Sequence, residues 1–271
     1  MQMNKYIRGL LLVFTLGLSS VCSVAQISYG SRASALNHAV TALDNHDWSI
    51  YGNPATVSES NKQFSFYYVR YYGISELADI ALSASYPIKW GVLSTGIHTY
   101  GFDLYRETNL SLAWMYKYER IKSAIKIHYD HIAFPSPYGS AGSIGFDIGV
   151  LFQLADVFDV GATAINLNRP QIGLNNEDRP RLMTIGFAYK PLDKGIILFD
   201  LVKDVRFPIS VRSAIEYSLL DVLILRAGVG NEPINTTFGA GFALKKIKIN
   251  LAVERHQDLG WSPGIDIGFN W

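Results

Sequence analysis

Apolar side chains recur at every second position along most of this chain. Nowhere after residue 25 do they run unbroken for the roughly 18 residues that a membrane-crossing helix needs. Ile247, Ile249, Leu251 and Val253 alternate with Lys248, Asn250, Ala252 and Glu254, and Ile265, Ile267, Phe269 and Trp271 alternate with Gly264, Asp266, Gly268 and Asn270. Ile144, Phe146, Ile148, Val150 and Phe152 oppose Gly145, Asp147, Gly149 and Gln153 in the same way. A period of two belongs to strands, whose successive side chains point to opposite faces. The composition then selects the solvent: 49% of residues are hydrophobic and 13% aromatic, with 16 Tyr and 5 Trp. Apolar content that high, dispersed by alternation, predicts an all-β, antiparallel transmembrane β-barrel with one face in lipid and the other lining its interior. Leu110, Leu112, Trp114, Tyr116 and Tyr118 form a further outward set, with Tyr and Trp where an interfacial girdle belongs.

Fourteen strands are predicted, over 63–71, 78–86, 91–100, 108–118, 120–130, 143–153, 157–166, 181–190, 195–203, 210–218, 222–229, 235–244, 246–255 and 264–271. The segments 157–166 and 195–203 alternate least well. Connections after even-numbered strands are tight, as at Glu119-Arg120 and Lys245-Lys246, whereas those after odd-numbered strands are longer, as at 131–142, 167–180 and 256–263. Sorting of loops by parity is the outer-membrane pattern, with an even strand count and both termini on the short-turn, periplasmic side. A soluble β-sandwich also alternates, but its loops have no reason to sort this way. The closing Phe269-Asn270-Trp271 resembles the aromatic terminal signal of many outer-membrane barrels.

The first residues read as an export signal: Lys5 and Arg8, a short apolar run from Gly9 to Leu18, and a cleavage site at Ser23-Val24-Ala25. This divides the chain into a signal peptide at 1–25, an N-terminal plug at 26–62 and an outer-membrane barrel at 63–271, in the cell envelope of a Gram-negative organism. Cleavage removes Cys22, the only cysteine, so disulfides are not expected to hold the mature chain. It also leaves 22 basic against 23 acidic side chains, a net charge of −1 that gives no footing for a nucleic-acid partner.

Residues 26–62 differ in kind, being rich in small side chains and polar punctuation. They run Gly30-Ser31-Arg32-Ala33-Ser34-Ala35-Leu36, then Ala39-Val40-Thr41-Ala42, then Asp47-Trp48-Ser49-Ile50-Tyr51-Gly52-Asn53-Pro54-Ala55. Small residues allow close backbone packing and Asn53-Pro54 favours a turn, which suits a compact plug in a barrel mouth. The run from Gly30 to Ala55 resembles the N-terminal signature shared by FadL-like long-chain fatty acid transporters and the PorV/PorQ outer-membrane proteins of type IX secretion. That resemblance implies a fourteen-stranded barrel whose N-terminal segment plugs the lumen. It also implies one of two partner classes besides membrane lipid: secretion-system proteins or a small hydrophobic ligand.

The plug residues singled out are Gly30, Arg32, Ala33, Asp47, Asn53 and Pro54. On inward strand positions, Lys126, Asp147, Arg212, Glu216, Arg226, Lys248 and Glu254 stand out, together with Lys122, His128 and Asp266. Their mixed signs predict ion pairs bracing the plug, because an unpaired charge in a narrow interior is costly. No catalytic centre, metal site or cofactor is expected. Asp44, His46 and Asp47 match no ligand spacing, His98 and His128 lack a nucleophile-elbow serine, and Asn175-Asn176-Glu177-Asp178 reads as a solvated loop. Short outer loops and a mixed-charge interior favour a docking subunit of a secretion system, with transport of small hydrophobic molecules as the alternative. The assigned faces predict that Ile249→Arg blocks membrane assembly while Asn250→Arg is tolerated.

Overall fold

The computed structural model describes residues 29–271 apart from 138, 174 and 175. The expected signal peptide and residues 26–28 lie outside the described residues, as does Asn175. Fourteen antiparallel strands close into one barrel: β1 (Gln63–Arg70), β2 (Ala78–Ile88), β3 (Gly91–Phe102), β4 (Tyr105–Tyr118), β5 (Ile121–Ala133), β6 (Ser140–Ala155), β7 (Phe158–Ile165), β10 (Leu182–Leu192), β11 (Gly195–Asp204), β12 (Ile209–Leu220), β13 (Leu223–Asn231), β14 (Ile234–Leu244), β15 (Ile247–His256) and β16 (Gly260–Asn270). Two short strands, β8 (Gln171–Ile172) and β9 (Glu177–Asp178), form a separate ribbon in the connection between β7 and β10. The ring closes where β1 pairs with β16, with Phe64 opposite Phe269 and Phe66 opposite Ile267. Closure leaves no strand edge unpaired, which is the condition for a sheet to cross hydrocarbon.

All fourteen expected strands are present. Their side chains sort as the alternation predicts: Leu110, Leu112, Trp114, Tyr116 and Tyr118 are exposed on the outer face, as are Ile144, Phe146, Ile148, Val150 and Phe152. Between the exposed members, Asp147 and Ser111 are buried inside. All six connections after even-numbered barrel strands are two-residue turns, at 89–90, 119–120, 156–157, 193–194, 221–222 and 245–246. Glu119 and Lys245 take the positive φ that tight hairpins require. The other rim is more varied, from two residues at 103–104 and 232–233 up to the span 166–181.

Several strands run further on that rim than alternation indicates: β5 to Ala133, β6 from Ser140 and β16 from Gly260. Beyond the lipid both faces meet water, so the apolar alternation fades while ladder pairing continues. The weak alternation of 195–203 has a different cause. Leu198 points inward, is 1% exposed, and joins a packed apolar cluster with Val40, Ala42 and Leu43. Its inward position is apolar because another part of the chain covers it.

That part is residues 29–62, the inner segment. It consists of one helical turn, α1 (Ser31–Ala35), and two 3-10 turns at Ser49–Tyr51 and Pro54–Thr56, connected by irregular backbone. Nearly all of residues 30–58 are buried, and their polar groups bond to inward positions around the ring. Small residues make this possible: Ala33, Ala35, Ala39, Ala42 and Ala55 are each fully buried.

Candidate functional site

The barrel interior is the candidate site, and the inner segment meets it on three kinds of surface. The first is charged. At the start of α1, the backbone N–H groups of Ser31 and Arg32 donate to one carboxylate oxygen of Asp266, at 2.6 and 3.3 Å. These are the donors a helix start leaves without intrahelical partners. The Arg32 guanidinium then grips Glu216 with two bonds of 2.8 and 2.6 Å. Glu216 also accepts from Arg226 Nε at 2.6 Å, and Arg226 donates onward to Asn250, which donates to Asp266. The network therefore closes on itself through β12, β13, β15 and β16, with Arg32 the inner-segment side chain that joins it. Further round, Lys248 donates to both carboxylate oxygens of Asp47 at 2.9 and 3.0 Å.

A second set of contacts fixes the segment to β5, β6 and β11. Lys126 pairs with Asp147 at 2.7 Å and donates to the backbone carbonyl of Ile50 at 3.1 Å. Asn53 caps its own 3-10 turn through Ala55 N–H and donates to the carbonyls of Thr41 and Val150. Pro54 opens that turn, beside Gly149. Asp200 accepts from the Thr41 N–H. At the short-turn rim, Lys122 bonds Asp44 and Glu59, and Lys117 also reaches Glu59. Burial raises the pKa of the Glu59 carboxyl, but the two ammonium groups more than offset this and hold it below the usual carboxylate value.

The third surface is aromatic. Tyr29, Trp48 and Tyr51 of the inner segment pack with Tyr67 of β1, and Tyr71 lies against the same cluster. Tyr29 meets Tyr51 edge-on at 4.7 Å between centroids and lies 4.3 Å from the ring of His98. His98 is in turn held by Asp79 at 2.7 Å. Gly96 of β3 matters here, because a Cβ at that position would lie 2.6 Å from the Tyr51 hydroxyl. Without a side chain there, the Tyr51 ring reaches the wall and donates to the Leu82 carbonyl at 3.0 Å.

On the other side of that thin stretch of wall is a hollow of about 660 Å³ on the lipid face, lined by Phe64, Leu82, Ile97, Leu110, Leu112 and Ile127 among others. Its size lies within the range of about 300–1,000 Å³ usual for small-molecule sites. Tyr51 thus separates an apolar hollow open to lipid from an aromatic cluster in the interior.

Each residue singled out from sequence has a definite place. Gly30 takes φ 95° ahead of α1, with Trp48 stacked where a Cβ would project, and Ala33 lies in the apolar cluster. Glu254 accepts from Asn235 and lies 3.8 Å from His38. Arg212 sits opposite Asp200 in the strand register, half-buried, with no carboxylate within ion-pair distance among the described residues. Asp200 and Asp79, not selected from sequence, carry as much of the architecture as those selected, and only the inward parity of an ionisable residue could have flagged them. Asn250 needs a correction. It is 6% exposed and hydrogen-bonded between Arg226 and Asp266, so the interior has no room for the arginine expected to be tolerated there.

Among the described residues, no helix is long and apolar enough to cross a membrane, and no three His, Asp or Glu side chains gather so as to hold a metal ion. No protein-family model matches the chain, and no curated protein does. Solved structures do match it. The Pseudomonas putida toluene transporter TodX aligns with a TM-score of 0.66 and 13% identity, covering 91% of this chain and 99% of that one. The Ralstonia pickettii toluene transporter TbuX aligns with a TM-score of 0.61 and 12% identity, covering 90% and 97%. The deltaS2 mutant of the TodX monoaromatic hydrocarbon channel gives 0.65 and 13%, covering 91% and 99%. At such identities the likeness is one of fold, and this chain shares the fold of those transmembrane barrels.

Proposed function

We propose that this chain is an outer-membrane barrel that passes small hydrophobic molecules, aromatic ones foremost, and catalyses no reaction. The observation that carries the reading is the alignment of the lipid-face hollow, the bare backbone at Gly96 and the Tyr51 ring. A small apolar molecule loses nothing by leaving lipid for an apolar hollow, and aromatic rings inside offer edge-to-face partners once Tyr51 gives way. The matching fold of two toluene transporters supports the same reading. The absence of chemistry is part of the proposal: His98 and His128 are engaged by aspartates rather than set beside a nucleophile.

The test is uptake of toluene and of a long-chain fatty acid into liposomes carrying the purified protein, with glucose as a polar control. Uptake of toluene above protein-free liposomes, without glucose entry, is the expected result. No uptake of either hydrophobic solute defeats the reading. It would return the protein to the class that loop length and interior charge suggest from sequence, a docking subunit of a secretion system of the PorV/PorQ kind. One structural observation favours that second reading, namely that the inner segment fills the barrel section and bonds to the wall around it. A stable protein partner recovered by cross-linking from membranes is its test.

A further inference from the structure

The basic residues of the short-turn rim divide into two groups. Lys117, Arg120, Lys122, Lys190, Lys194 and Lys248 each have a carboxylate partner: Glu59, Asp156, Asp44 together with Glu59, Asp159, Asp221 and Asp47. Lys62, Lys89, Lys245 and Lys246 have none within ion-pair distance among the described residues. All four belong to one arc, where β14, β15, β16, β1, β2 and β3 are consecutive neighbours around the ring. The Lys246 carbonyl accepts from Asn270 N–H at 2.8 Å and the Lys62 carbonyl from Trp271 N–H at 3.1 Å, so these two backbones flank the end of β16 from either side. Two strand spacings separate them, about 10 Å, which two lysine side chains can span from both ends.

The arc faces lipid. Lys62 Nζ lies 4.7 Å above the ring of Tyr86 and Lys89 Nζ 5.8 Å from that of Trp90, and both rings are exposed on the outer wall. Below the lysines the wall is apolar, with Phe64, Ile247 and Phe269 exposed side by side in paired strands. Cations above an aromatic belt and an apolar wall complement a molecule with a phosphate head and acyl tails. We infer that this arc is a binding site for the headgroup of an anionic phospholipid in the leaflet that the short-turn rim meets. Lys62 and Lys246 clasp the phosphate and the acyl chains lie along Phe64 and Phe269. The partnered basic residues of the rim, Lys248 within the arc included, have no charge to spare for such a role. The inference rests on the barrel fold and is independent of whether the barrel passes a solute.

The test uses the full protein in nanodiscs of phosphatidylcholine with a minor fraction of phosphatidylglycerol, extracted into mild detergent, with retained lipids counted by native mass spectrometry. The wild type is expected to retain phosphatidylglycerol several-fold above its bulk fraction. The combined Lys62→Gln, Lys89→Gln, Lys245→Gln and Lys246→Gln variant should fall to the bulk ratio, while the four Lys→Arg changes keep the enrichment. A control set, Lys117→Gln with Arg120→Gln and Lys194→Gln, should behave as wild type. Heat-modifiable gel mobility reports folding, and Lys245→Gln with Lys246→Gln, confined to one exposed turn, serves if the fourfold change fails to assemble. Enrichment that survives in the glutamine variants, or that falls equally in the control set, overturns the proposal. So does enrichment abolished by inorganic phosphate, which would mark a site for the free anion.

Discussion

The inner segment meets two neighbouring arcs of the wall on very different terms. Against β12 to β16 it is held by charge, through a closed network in which Glu216 faces two guanidinium groups and Asp266 takes two backbone N–H groups and an amide. Against β1 to β3 it is held mainly by rings, with neutral hydrogen bonds from Tyr51 to the Leu82 carbonyl, from Gln63 and Ser83 to the Asp47 carbonyl, and between Tyr29 and His98. Buried ion pairs are all-or-nothing contacts that tolerate no displacement without exposing a charge. Rings slide and tilt at little cost, and a hydrophobic visitor replaces the contacts they lose. The first arc is built to anchor and the second to yield, which locates any opening beside Tyr51 and the hollow behind it.

The contrast is most severely tested by Glu216→Leu, which leaves Arg32 and Arg226 without their shared carboxylate. Breaking a buried pair from one side costs about 3–5 kcal/mol. The account expects a loss of that order in the urea midpoint of the folded barrel and rapid proteolysis within residues 29–62. A loss under about 1 kcal/mol would show that the charged arc is no anchor.

Next in size is a pair of neighbours. Ile249→Arg places a cation on the lipid face, where it costs up to about 2–4 kcal/mol near the bilayer centre, so membrane assembly fails. Asn250→Arg faces inward and crowds Arg226. Its product should insert but leave the inner segment protease-sensitive. Equal insertion of the two variants would mean that inside and outside are misassigned.

The ring-lined arc should respond weakly in stability and strongly in passage. Tyr51→Phe removes one hydrogen bond, about 0.5–1.5 kcal/mol, and is expected to raise toluene uptake. Unchanged uptake would separate Tyr51 from the route. Smallest of all is Glu59→Gln at the rim, within about 1 kcal/mol because Glu59 is partly exposed and Lys122 keeps Asp44 as a partner. Since the Glu59 carboxyl is held below its ordinary pKa, its contribution is present above the unfolded value and is lost as the pH falls through the folded one. An acid titration of the wild type should therefore lose this small increment, and the Gln variant should not show it.

The wall was legible in the sequence because each strand carries its own evidence. A period of two at Ile144 to Phe152 names the outward face without reference to any other part of the chain, and two-residue turns such as Lys245-Lys246 fix where strands end. The interior was legible only as a list of ionisable residues at inward positions. Which of them meet depends on closures across 184 residues for Arg32 with Glu216 and 235 for Ser31 with Asp266, and no local pattern encodes those. The same limit explains Asn250, whose inward position suggested space until its partners were known. Leu198 shows the reverse: its apolar inward side chain blurred the alternation because the surface covering it lies over 150 residues earlier, at Val40. The hollow behind Gly96 was invisible for that reason too, since its lining comes from six strands.

The central claim is that passage requires the inner segment to move on its yielding side while it stays anchored elsewhere. A reversible lock tests this directly. Cysteines at Asn53 and Gly149 hold the segment to β6, on the anchored side, where a Cβ on Gly149 would lie 2.2 Å from the Asn53 side-chain oxygen. In proteoliposomes, the oxidised Asn53→Cys, Gly149→Cys protein should admit toluene as readily as the reduced protein, because β6 belongs to the side that stays anchored, and adding Tyr51→Phe should raise uptake in both states. Uptake lost on oxidation would contradict the account, because passage would then require the segment to leave the wall on the side described as its anchor.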